Sequence, residues 1–522
     1  MARILICDPL QKAALEIMSR DHEVIDLPKI TREELLEEIP DFHAIVVRAR
    51  TQVDSEVIDR GKKLRVIARA GVGTDNIDVN SATERGILVV NSPDPSINSV
   101  AEHTFTLLLG LCRNLQRSHR QLEKGKWRKD DLIGREMGGK TLGIIGLGRI
   151  GTRVASIAKG FGLNLLATDP YASSSYAEKF GAELVDLDRL LSESDFITLH
   201  VPLTKSTTGL IGDRELSLMK GDAIIINTSR SEVIKPGALL SHLGSGEIGG
   251  AGLDVFDSSD LEKLATFPNV LLTPHIGAST REAQSQIAEL IASEVVDALG
   301  NRPTRNPVNM PHVDRKSLEM LQPYLRLTDR MVRILNPFIP DHPTVISLSL
   351  QGDTGELEQA DILLRSSVLG LLSAFHEVNL VNVMKTAERM GIRTEITRGS
   401  SGNSYLSCIE LVVRTSDGEY SITGALVEAD KPRIVELKGY EIEFIPEGNI
   451  LITEHRDVPG MVGIVGTKLG SAGVNIGTMQ LARKKVGEEA MMIILTDKSM
   501  PEDLESEIGK IKGMSRVEVI SL

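Results

Sequence analysis

The hydrophobic positions of the first 97 or so residues form short aliphatic runs, separated by segments whose apolar residues recur at helical spacing. The runs are predicted strands: Ile4–Cys7, Ala44–Val47, Val66–Ala68 and Ile87–Val90. Helical patterns lie between them at Leu10–Arg20 and Thr31–Glu38, and the second opens on a threonine suited to cap a helix. Because strands that alternate with helices form parallel sheets, this region predicts an α/β fold.

A second alternation of the same kind extends from Lys140 to about His275. Its predicted strands are Thr141–Ile145, Asn164–Thr168, Phe196–His200, Ala223–Asn227, Ala251–Asp254 and Val270–Thr273. One long helix is predicted before it, from Ser99 to about Glu123, and another after it, at Thr280–Leu299. Residues 300–307, rich in Gly, Asn and Pro, are predicted to form a linker.

The pattern changes beyond this linker. Residues 312–447 mix helices and strands and contain no chemical motif. Residues 449–522 show the order βαββαβ, which is typical of a ferredoxin-like fold. The chain is therefore predicted to contain two Rossmann- or flavodoxin-like doubly wound domains, an α+β domain and a ferredoxin-like domain.

Composition excludes several classes of protein. A chain of 522 residues predicts three or four domains, and its net charge of −13 without a long basic run argues against nucleic acid or a membrane surface as partner. The three cysteines lie far apart, so neither a disulfide framework nor a cysteine-rich metal site is expected. No signal-peptide pattern or bilayer-length apolar stretch occurs, so a cytoplasmic protein is expected.

A glycine-rich turn carries the clearest chemical signal. Gly146, Gly148 and Gly151 have the GxGxxG spacing, after an aliphatic strand and before a predicted helix. The first glycine permits a tight turn, the second lets the backbone approach a pyrophosphate, and the third allows close packing of helix on strand. Asp169, at the end of the next strand, is placed to accept hydrogen bonds from a ribose and to repel a 2′-phosphate, so NAD is predicted rather than NADP.

Reactive side chains follow several strands of the same predicted sheet. Arg230, Asp254 and His275 each follow a strand, and ligands bind beyond the carboxyl ends of such strands. His275 has the chemistry of a base that removes the hydroxyl proton of a 2-hydroxy acid while hydride leaves C2. Arg230 has the fork geometry to hold the carboxylate, and the backbone N–H groups of Gly71, Val72 and Gly73 are predicted to hold its other end.

These motifs together resemble the D-2-hydroxyacid dehydrogenase family, and within it the long D-3-phosphoglycerate dehydrogenases that end in an ACT domain. The resemblance rests on eight segments spread over residues 1–310: Ala44–Arg48, Arg69–Asp78, Val100–Thr104, Gly146–Gly151, His200–Thr204, Asn227–Arg230, Leu253–Phe256 and Thr273–Thr280. It implies NAD-dependent oxidation of D-3-phosphoglycerate to 3-phosphohydroxypyruvate, the first step of L-serine biosynthesis.

The resemblance also implies a domain organisation and a set of site residues. Residues 1–97 and 277–307 would form the substrate-binding domain and 98–276 the NAD-binding domain, in a homo-oligomer whose dimer contact lies near Ser99–Glu123. The implied cofactor-binding residues are Gly146, Gly148, Arg149, Ile150, Gly151, Asp169, Val201, Thr228, Ser229, Asp254, Gly277 and Ala278. The implied substrate-binding residues are Arg48, Arg69, Gly71, Val72 and Gly73.

The C-terminal part extends the resemblance. Residues 312–447 are similar to the intervening regulatory domain of the long form, and 449–522 to an ACT domain, which senses small molecules. His455, Asp457 and Asn475 match positions where family members hold L-serine, which predicts an amino-acid effector site. The alternative is an ACT fold that only assembles subunits, because a fold does not fix a function.

One departure from the family concerns the partner of His275. The family reads Asp-Val-Phe-x-x-Glu-Pro, and that Glu holds the catalytic His. Counting from Phe256 places Ser259 at the Glu position, whereas counting back from His275 places Asp257 there. Without a carboxylate the imidazolium loses stabilisation, so Asp257 or Asp260 is expected to substitute.

A second departure concerns the substrate phosphate. Asp130 and Asp131 follow a stretch that is commonly basic in the family, and Glu232 replaces a glycine. Acids beside a phosphate would weaken its binding, which leaves Arg48 and Arg50 as its expected ligands. Two alternatives follow: a dehydrogenase for another 2-hydroxy or 2-oxo acid, and an NAD(H)-binding regulatory protein with weakened catalysis.

Overall fold

The computed structural model describes residues 1–235, 237–313, 315–373, 376–399, 407–428 and 430–522. Its first sheet has five parallel strands in the order β2-β1-β3-β4-β5. The strands are β1 Arg3–Ile6, β2 Glu23–Asp26, β3 Ala44–Val47, β4 Val66–Arg69 and β5 Leu88–Asn91. This order is that of flavodoxin-like doubly wound sheets, as the alternation predicts.

Helices cover both faces of this sheet. They are α1 Lys12–Ser19, α2 Arg32–Glu38, α3 Ser55–Arg60 and α4 Val79–Glu84. Thr31 caps α2 in a capping box, since its side chain accepts from the backbone N–H of Glu34 while the Glu34 carboxylate accepts from the Thr31 N–H. A later helix, Arg281–Leu299, returns to the same sheet and packs Ile287, Ile291 and Val295 against Ile4 and Val46.

The predicted single helix Ser99–Glu123 is two helices, α5 Ile97–Cys112 and α6 Leu115–Glu123. Asn114 separates them in the left-handed conformation, with φ of 50°. Its side chain is fixed on both sides, because Nδ2 donates to the carbonyl of Ile133 and Oδ1 accepts from Arg117. Asn tolerates this region better than most residues, so the apolar repeat continues across a real break.

The second sheet has seven parallel strands in the order β12-β11-β10-β9-β6-β7-β8. They are β6 Thr141–Ile145, β7 Asn164–Thr168, β8 Ala182–Leu184, β9 Phe196–Leu199, β10 Ile224–Asn227, β11 Gly250–Leu253 and β12 Val270–Leu272. The associated helices are α7 Arg149–Gly160, α8 Ser174–Lys179, α9 Leu187–Glu193, α10 Asp213–Leu218, α11 Ala238–Ser245 and α12 Leu261–Leu264, and the helix Arg281–Leu299 is α13. Strand order reverses between β6 and β9, which is the point where such sheets bind ligands.

The third sheet is mixed and has six strands in the order β14-β13-β15-β16-β17-β18. They are β13 Val345–Gly352, β14 Arg393–Gly399, β15 Ser407–Arg414, β16 Glu419–Val427, β17 Lys431–Leu437 and β18 Tyr440–Phe444. The helices of this region are α14 Arg315–Leu335, α15 Asp361–Leu372 and α16 Val383–Arg389. Its buried side chains include Phe338, Leu348 and Leu411.

The fourth sheet is antiparallel, in the ferredoxin-like order β20-β21-β19-β22. Its elements are β19 Asn449–Arg456, α17 Met461–Ser471, β20 Ile476–Arg483, β21 Glu489–Thr496, α18 Glu502–Gly509 and β22 Met514–Ser521. One face packs on α17 and α18, and the other shares a core with the third sheet through Ile450, Ile452 and Ile493. The predicted fold class is therefore confirmed over all four regions.

Hydropathy adds one observation. Among the residues that the structure describes, no helix is both long enough and apolar enough to cross a membrane.

Candidate active site

The glycine-rich turn joins β6 to α7, and each of its three glycines has a distinct steric surrounding. Gly146 has φ of +95°, and a Cβ there would lie 2.7 Å from the carbonyl oxygen of His200. A Cβ on Gly151 would collide with the carbonyl oxygen of Gly146, so helix and strand pack at backbone distance. Gly148, in contrast, has open space where its Cβ would be. The turn is thus closed on the protein side and open towards the N-terminus of α7, which fits a bound pyrophosphate.

Asp169 stands directly beside this turn. Its Oδ2 accepts a 2.8 Å hydrogen bond from the N–H of Leu147, between the first two glycines, and its Oδ1 accepts from Tyr171 N–H at 2.9 Å. The carboxylate is therefore fixed at the end of β7, next to the point where strand order reverses. This position fits an acceptor for ribose hydroxyls.

The carboxyl ends of the first two sheets face each other across a cleft of about 900 Å³. Most of the predicted cofactor and substrate residues line it. They are Arg48, Arg69, Gly71, Val72, Gly73, Arg149, Ile150, Val201, Thr228, Ser229, Arg230, Asp254, His275, Gly277 and Ala278. Residues predicted from distant segments of the sequence thus share one cavity.

Arg230 reaches into the cleft from the loop after β10. The loop is fixed by Asn227, whose Nδ2 donates to the Arg230 carbonyl while its Oδ1 accepts from Ser229. The Nη1 of Arg230 donates to the carbonyl of Ser229, and its Nε forms a 2.9 Å ion pair with Asp75. The guanidinium is thus held at two of its nitrogens. Asp75, to which no local sequence signal assigns a role, follows β4 and lies on the opposite wall of the cleft.

His275 lies in the same cleft with a left-handed backbone, φ +54°. Its N–H donates to the carbonyls of Asp254 and Thr273, both at 3.0 Å. Its ring makes no hydrogen bond to any residue that the structure describes. Partial burial lowers the pKa of His275 below its usual value; the Asp254 carboxylate opposes this, and the Arg230 and Arg69 guanidiniums add to it. The imidazole is therefore neutral near pH 7 and able to accept a proton.

Asp254 supports the backbone that follows His275. Its Oδ1 accepts from the N–H of Ile276 at 2.8 Å and its Oδ2 from that of Gly277 at 2.9 Å. Thr273 Oγ1 donates to Oδ1 at 2.6 Å, and the Nε2 of His103, on α5, lies 3.3 Å from the same oxygen. Burial alone would raise the pKa of Asp254, but these hydrogen bonds lower it to about 2. His103 and Thr273 belong to segments that carry the family resemblance, yet nothing local to them indicates this network.

Arg69 and Arg48 make one wall of the cleft basic. Burial, together with the nearby charges of Arg48 and Arg230, lowers the pKa of Arg69 to about 10. The Nε of Arg69 is buried and has no hydrogen-bond partner. Arg50, the other expected phosphate ligand, instead binds Asp8 and the carbonyl of Ile30. Arg48 and Arg69 therefore bring positive charge to the cleft, whereas Arg50 does not line it.

The backbone of residues 71–73, predicted to hold the substrate carboxylate, offers fewer free N–H groups than the three expected. The N–H of Gly71 donates to the carbonyl of Arg69 at 2.8 Å and so is not free for a ligand. The N–H groups of Val72 and Gly73 make no hydrogen bond within the described residues. Two backbone donors therefore remain on this side of the cleft.

The structure does not bring Asp257 to His275. The Asp257 carboxylate accepts from the N–H and the hydroxyl of Ser259, in an exposed turn outside the cleft lining. Asp260 is partly buried and lies 3.7 Å from Lys263. The acids Asp130, Asp131 and Glu232 are exposed and do not line the cleft either, so they do not reduce its positive charge directly.

The three predicted effector residues all have internal partners. His455 is buried, with Nδ1 3.2 Å from the Thr453 hydroxyl, and its burial lowers the pKa of the ring. Asp457 accepts from Arg483 at 3.2 Å, whereas Asn475 donates to Asp497 at 2.6 Å. His455 and Asp457 lie at one end of β19, and Asn475 precedes β20.

Comparison with known proteins agrees with this geometry. Residues 105–277 match the family model of the D-isomer specific 2-hydroxyacid dehydrogenase NAD binding domain, and residues 320–438 match that of the D-3-phosphoglycerate dehydrogenase intervening domain. The D-3-phosphoglycerate dehydrogenase of Methanocaldococcus jannaschii is 41% identical over 527 aligned positions, which cover 100% of both chains. The enzyme of the same name from Bacillus subtilis is 31% identical, again over 100% of both chains.

The chain belongs to the D-3-phosphoglycerate dehydrogenase family. Among solved structures, D-lactate dehydrogenase from Aquifex aeolicus complexed with NAD and lactic acid superposes with a TM-score of 0.54 at 30% identity, covering 59% of this chain and 99% of that one. The TT0316 protein of Thermus thermophilus superposes with a TM-score of 0.55 at 33% identity, over 59% and 99%. Among the described residues, no carboxylate forms a hydrogen bond with the His275 ring, so neither Asp257 nor Asp260 stands in for the Glu expected from the resemblance.

Proposed function

We propose that this member of the D-3-phosphoglycerate dehydrogenase family oxidises D-3-phosphoglycerate to 3-phosphohydroxypyruvate with NAD, the first step of L-serine biosynthesis. The observation that carries the proposal is that one cleft is lined by Arg149 and Ile150 of the glycine turn and also by Arg230, His275, Arg48 and Arg69. Such a cleft suits an anionic 2-hydroxy acid. The proposal assigns residues 1–97 and 277–307 to substrate binding and 98–276 to NAD binding.

The residues divide the work of the reaction. Gly146, Gly148, Gly151 and the α7 N-terminus would hold the pyrophosphate, and Asp169 the ribose. Bound NAD supplies the acceptor for the hydride that leaves C2. Neutral His275 takes the hydroxyl proton as the C2–O bond becomes a carbonyl.

The arginines orient the substrate. Arg230, together with the N–H groups of Val72 and Gly73, binds the carboxylate and stabilises the developing carbonyl. Arg48 and Arg69 bind the phosphate. Arg149, which forms an ion pair with Asp94 at 3.1 Å, is at the start of α7 and lines the same cleft.

A substrate panel tests this function. With NADH, 3-phosphohydroxypyruvate is expected to be reduced with a higher kcat/KM than glyoxylate, pyruvate or 2-oxoglutarate. Faster turnover of an unphosphorylated 2-oxo acid would replace the proposed substrate by another acid. Tight NADH binding with no turnover of any acid would instead identify a regulatory protein.

The proposal extends to assembly and regulation. Leu115, Leu122, Trp127 and Ile133, on α6 and the segment after it, are exposed by 53–88%. Large apolar side chains exposed in this way are typical of a subunit contact, so we assign the homo-oligomer contact to α6 and the segment after it. The ACT-like region is proposed to bind L-serine or another amino acid through His455, Asp457 and Asn475, and kinetic inhibition by L-serine tests this.

A further inference from the structure

Arg230 is held across the cleft by Asp75, a residue that follows a strand of the first sheet. Its Nε lies 2.9 Å from Oδ2 of Asp75. Asp75 follows β4 of the first sheet, whereas Arg230 follows β10 of the second. The ion pair therefore connects the two walls between which the substrate must bind.

The packing around this pair fixes which nitrogen is left for a ligand. Nη1 of Arg230 donates to the carbonyl of Ser229 at 2.8 Å, and Nε is taken by Asp75. Nη2 has no hydrogen bond within the described residues. It lies so close to Gly73 that a Cβ there would collide with it and would stand 2.6 Å from Asp75 Oδ2. The unused nitrogen thus lies beside Gly73, whose N–H, like that of Val72, makes no hydrogen bond within the described residues.

We propose that Asp75 is a positioning residue: it fixes the guanidinium of Arg230 so that Nη2 faces the carboxylate site at 72–73, and its charge limits the anion affinity of the cleft. The inference rests on the proposed function only in requiring an anionic 2-hydroxy acid as substrate. Asp75 does not touch the reacting atoms and acts through Arg230.

The charges of the cleft give Asp75 its second effect. Arg48, Arg69 and Arg230 are close enough for the first and third to lower the pKa of Arg69, whereas Asp75 raises it. Asp75 therefore offsets part of the repulsion among the arginines. Because its side chain is 57% exposed, water screens much of this interaction.

Two substitutions at Asp75 separate orientation from charge. Asp75→Ala removes both the acceptor and the charge, so kcat is expected to fall about tenfold or more as Arg230 loses its fixed orientation. Asp75→Asn keeps an oxygen acceptor for Nε but removes the charge. It is expected to keep kcat within about threefold and to lower KM for the anionic substrate about threefold to tenfold, an effect that weakens with salt.

Asp78→Ala provides the matched control in the same segment. Asp78 caps α4 by accepting from the N–H of Ser81 at 3.0 Å and does not line the cleft. This variant is expected to lower Tm while leaving kcat and KM unchanged. NADH binding, measured by fluorescence, is expected to be similar in all three variants and the wild type.

The outcomes separate the inference from the proposed function. Wild type is assayed with D-3-phosphoglycerate and with D-lactate and glycolate, and the Asp75 variants are compared on whichever acid it oxidises best. Preference for an unphosphorylated acid would overturn the proposed substrate and leave the Asp75 comparison valid. A kcat in Asp75→Ala within twofold of wild type, or a raised KM and lost kcat in Asp75→Asn, would overturn the role of Asp75.

Discussion

His275 is oriented through its backbone. Its N–H bonds and the Asp254 carboxylate fix the turn, while the ring has no hydrogen-bond partner in the described chain. The pKa of the ring therefore depends on burial and on nearby charges, and these lower it below the usual value for histidine. Burial is therefore the main influence on the pKa of this ring.

The pH dependence of catalysis follows from this shift. Oxidation needs neutral His275, so kcat/KM for D-3-phosphoglycerate is expected to rise with pH through a midpoint below 6.5 and then to level off. Reduction needs the protonated ring, so its rate is expected to fall through the same midpoint. Steady-state kinetics in both directions measure this, and His275→Gln is expected to lose about 10²–10⁴-fold in rate together with the midpoint. A midpoint above 6.5 would contradict the shift.

Single site residues could be predicted from the sequence where their position follows from the local order of strands. Arg230 and His275 were placed together because parallel strands bring their carboxyl ends to one edge. The roles of Asp75 and His103 could not be predicted in this way, because their partners are distant in the sequence. Asp75 pairs with Arg230, 155 positions away, and His103 with Asp254, 151 positions away. Only packing in three dimensions brings such charges together.

At the scale of elements, the glycine turn contains one glycine that the packing of helix on strand requires, Gly151, and one that only a bound cofactor would require, Gly148. Gly151→Ala would collide with backbone, so it is expected to lower Tm by about 5 °C or more and to weaken NADH binding. Gly148→Ala meets no atom within 4 Å, so it is expected to change Tm by less than about 2 °C while weakening NADH binding about tenfold. Thermal unfolding with fluorescence titration compares the pair. Equal losses of Tm would refute the distinction.

The β12–α13 connection depends on one hydroxyl. Thr273→Val removes the donor to Asp254, which is expected to raise the pKa of Asp254, loosen the turn at His275 and lower kcat about tenfold. Thr266→Val is the control, because its hydroxyl donates to the carbonyl of Lys263 in an exposed turn. Stopped-flow or steady-state rates decide. Equal rates in the two variants would show that Thr273 has no such role.

Element prediction failed at edges and breaks. β2 and β8 were missed because each is a short edge strand with partly exposed residues, which leaves little hydrophobic signal. The break at Asn114 was missed because apolar spacing does not report a single left-handed residue. Central strands such as β6 and β7 were predicted to the residue, since buried parallel strands are continuously apolar.

At the scale of the whole molecule, α6 leaves its apolar residues in solvent. Leu122→Asp combined with Trp127→Asp is expected to reduce the mass of the assembly, because charges would replace the apolar contact. Size-exclusion chromatography with light scattering measures this. The control is Leu27→Asp, because Leu27 is a partly exposed leucine directly after β2. This substitution is expected to leave the mass unchanged. An unaltered mass in the double variant would exclude this surface as the contact.

The core shared by the third and fourth sheets has a consequence for modularity. Ile450, Ile452, Met491 and Ile493 turn one whole face of the last sheet towards the preceding region. Deleting residues 449–522 would expose to water the apolar side chains of the preceding region that pack on this sheet. The shortened chain is therefore expected to aggregate. Scanning calorimetry of the intact chain is expected to show both sheets melting in one transition. Residues 449–522 are thus not an independent module: the region could be exchanged between proteins only together with the region on which it packs.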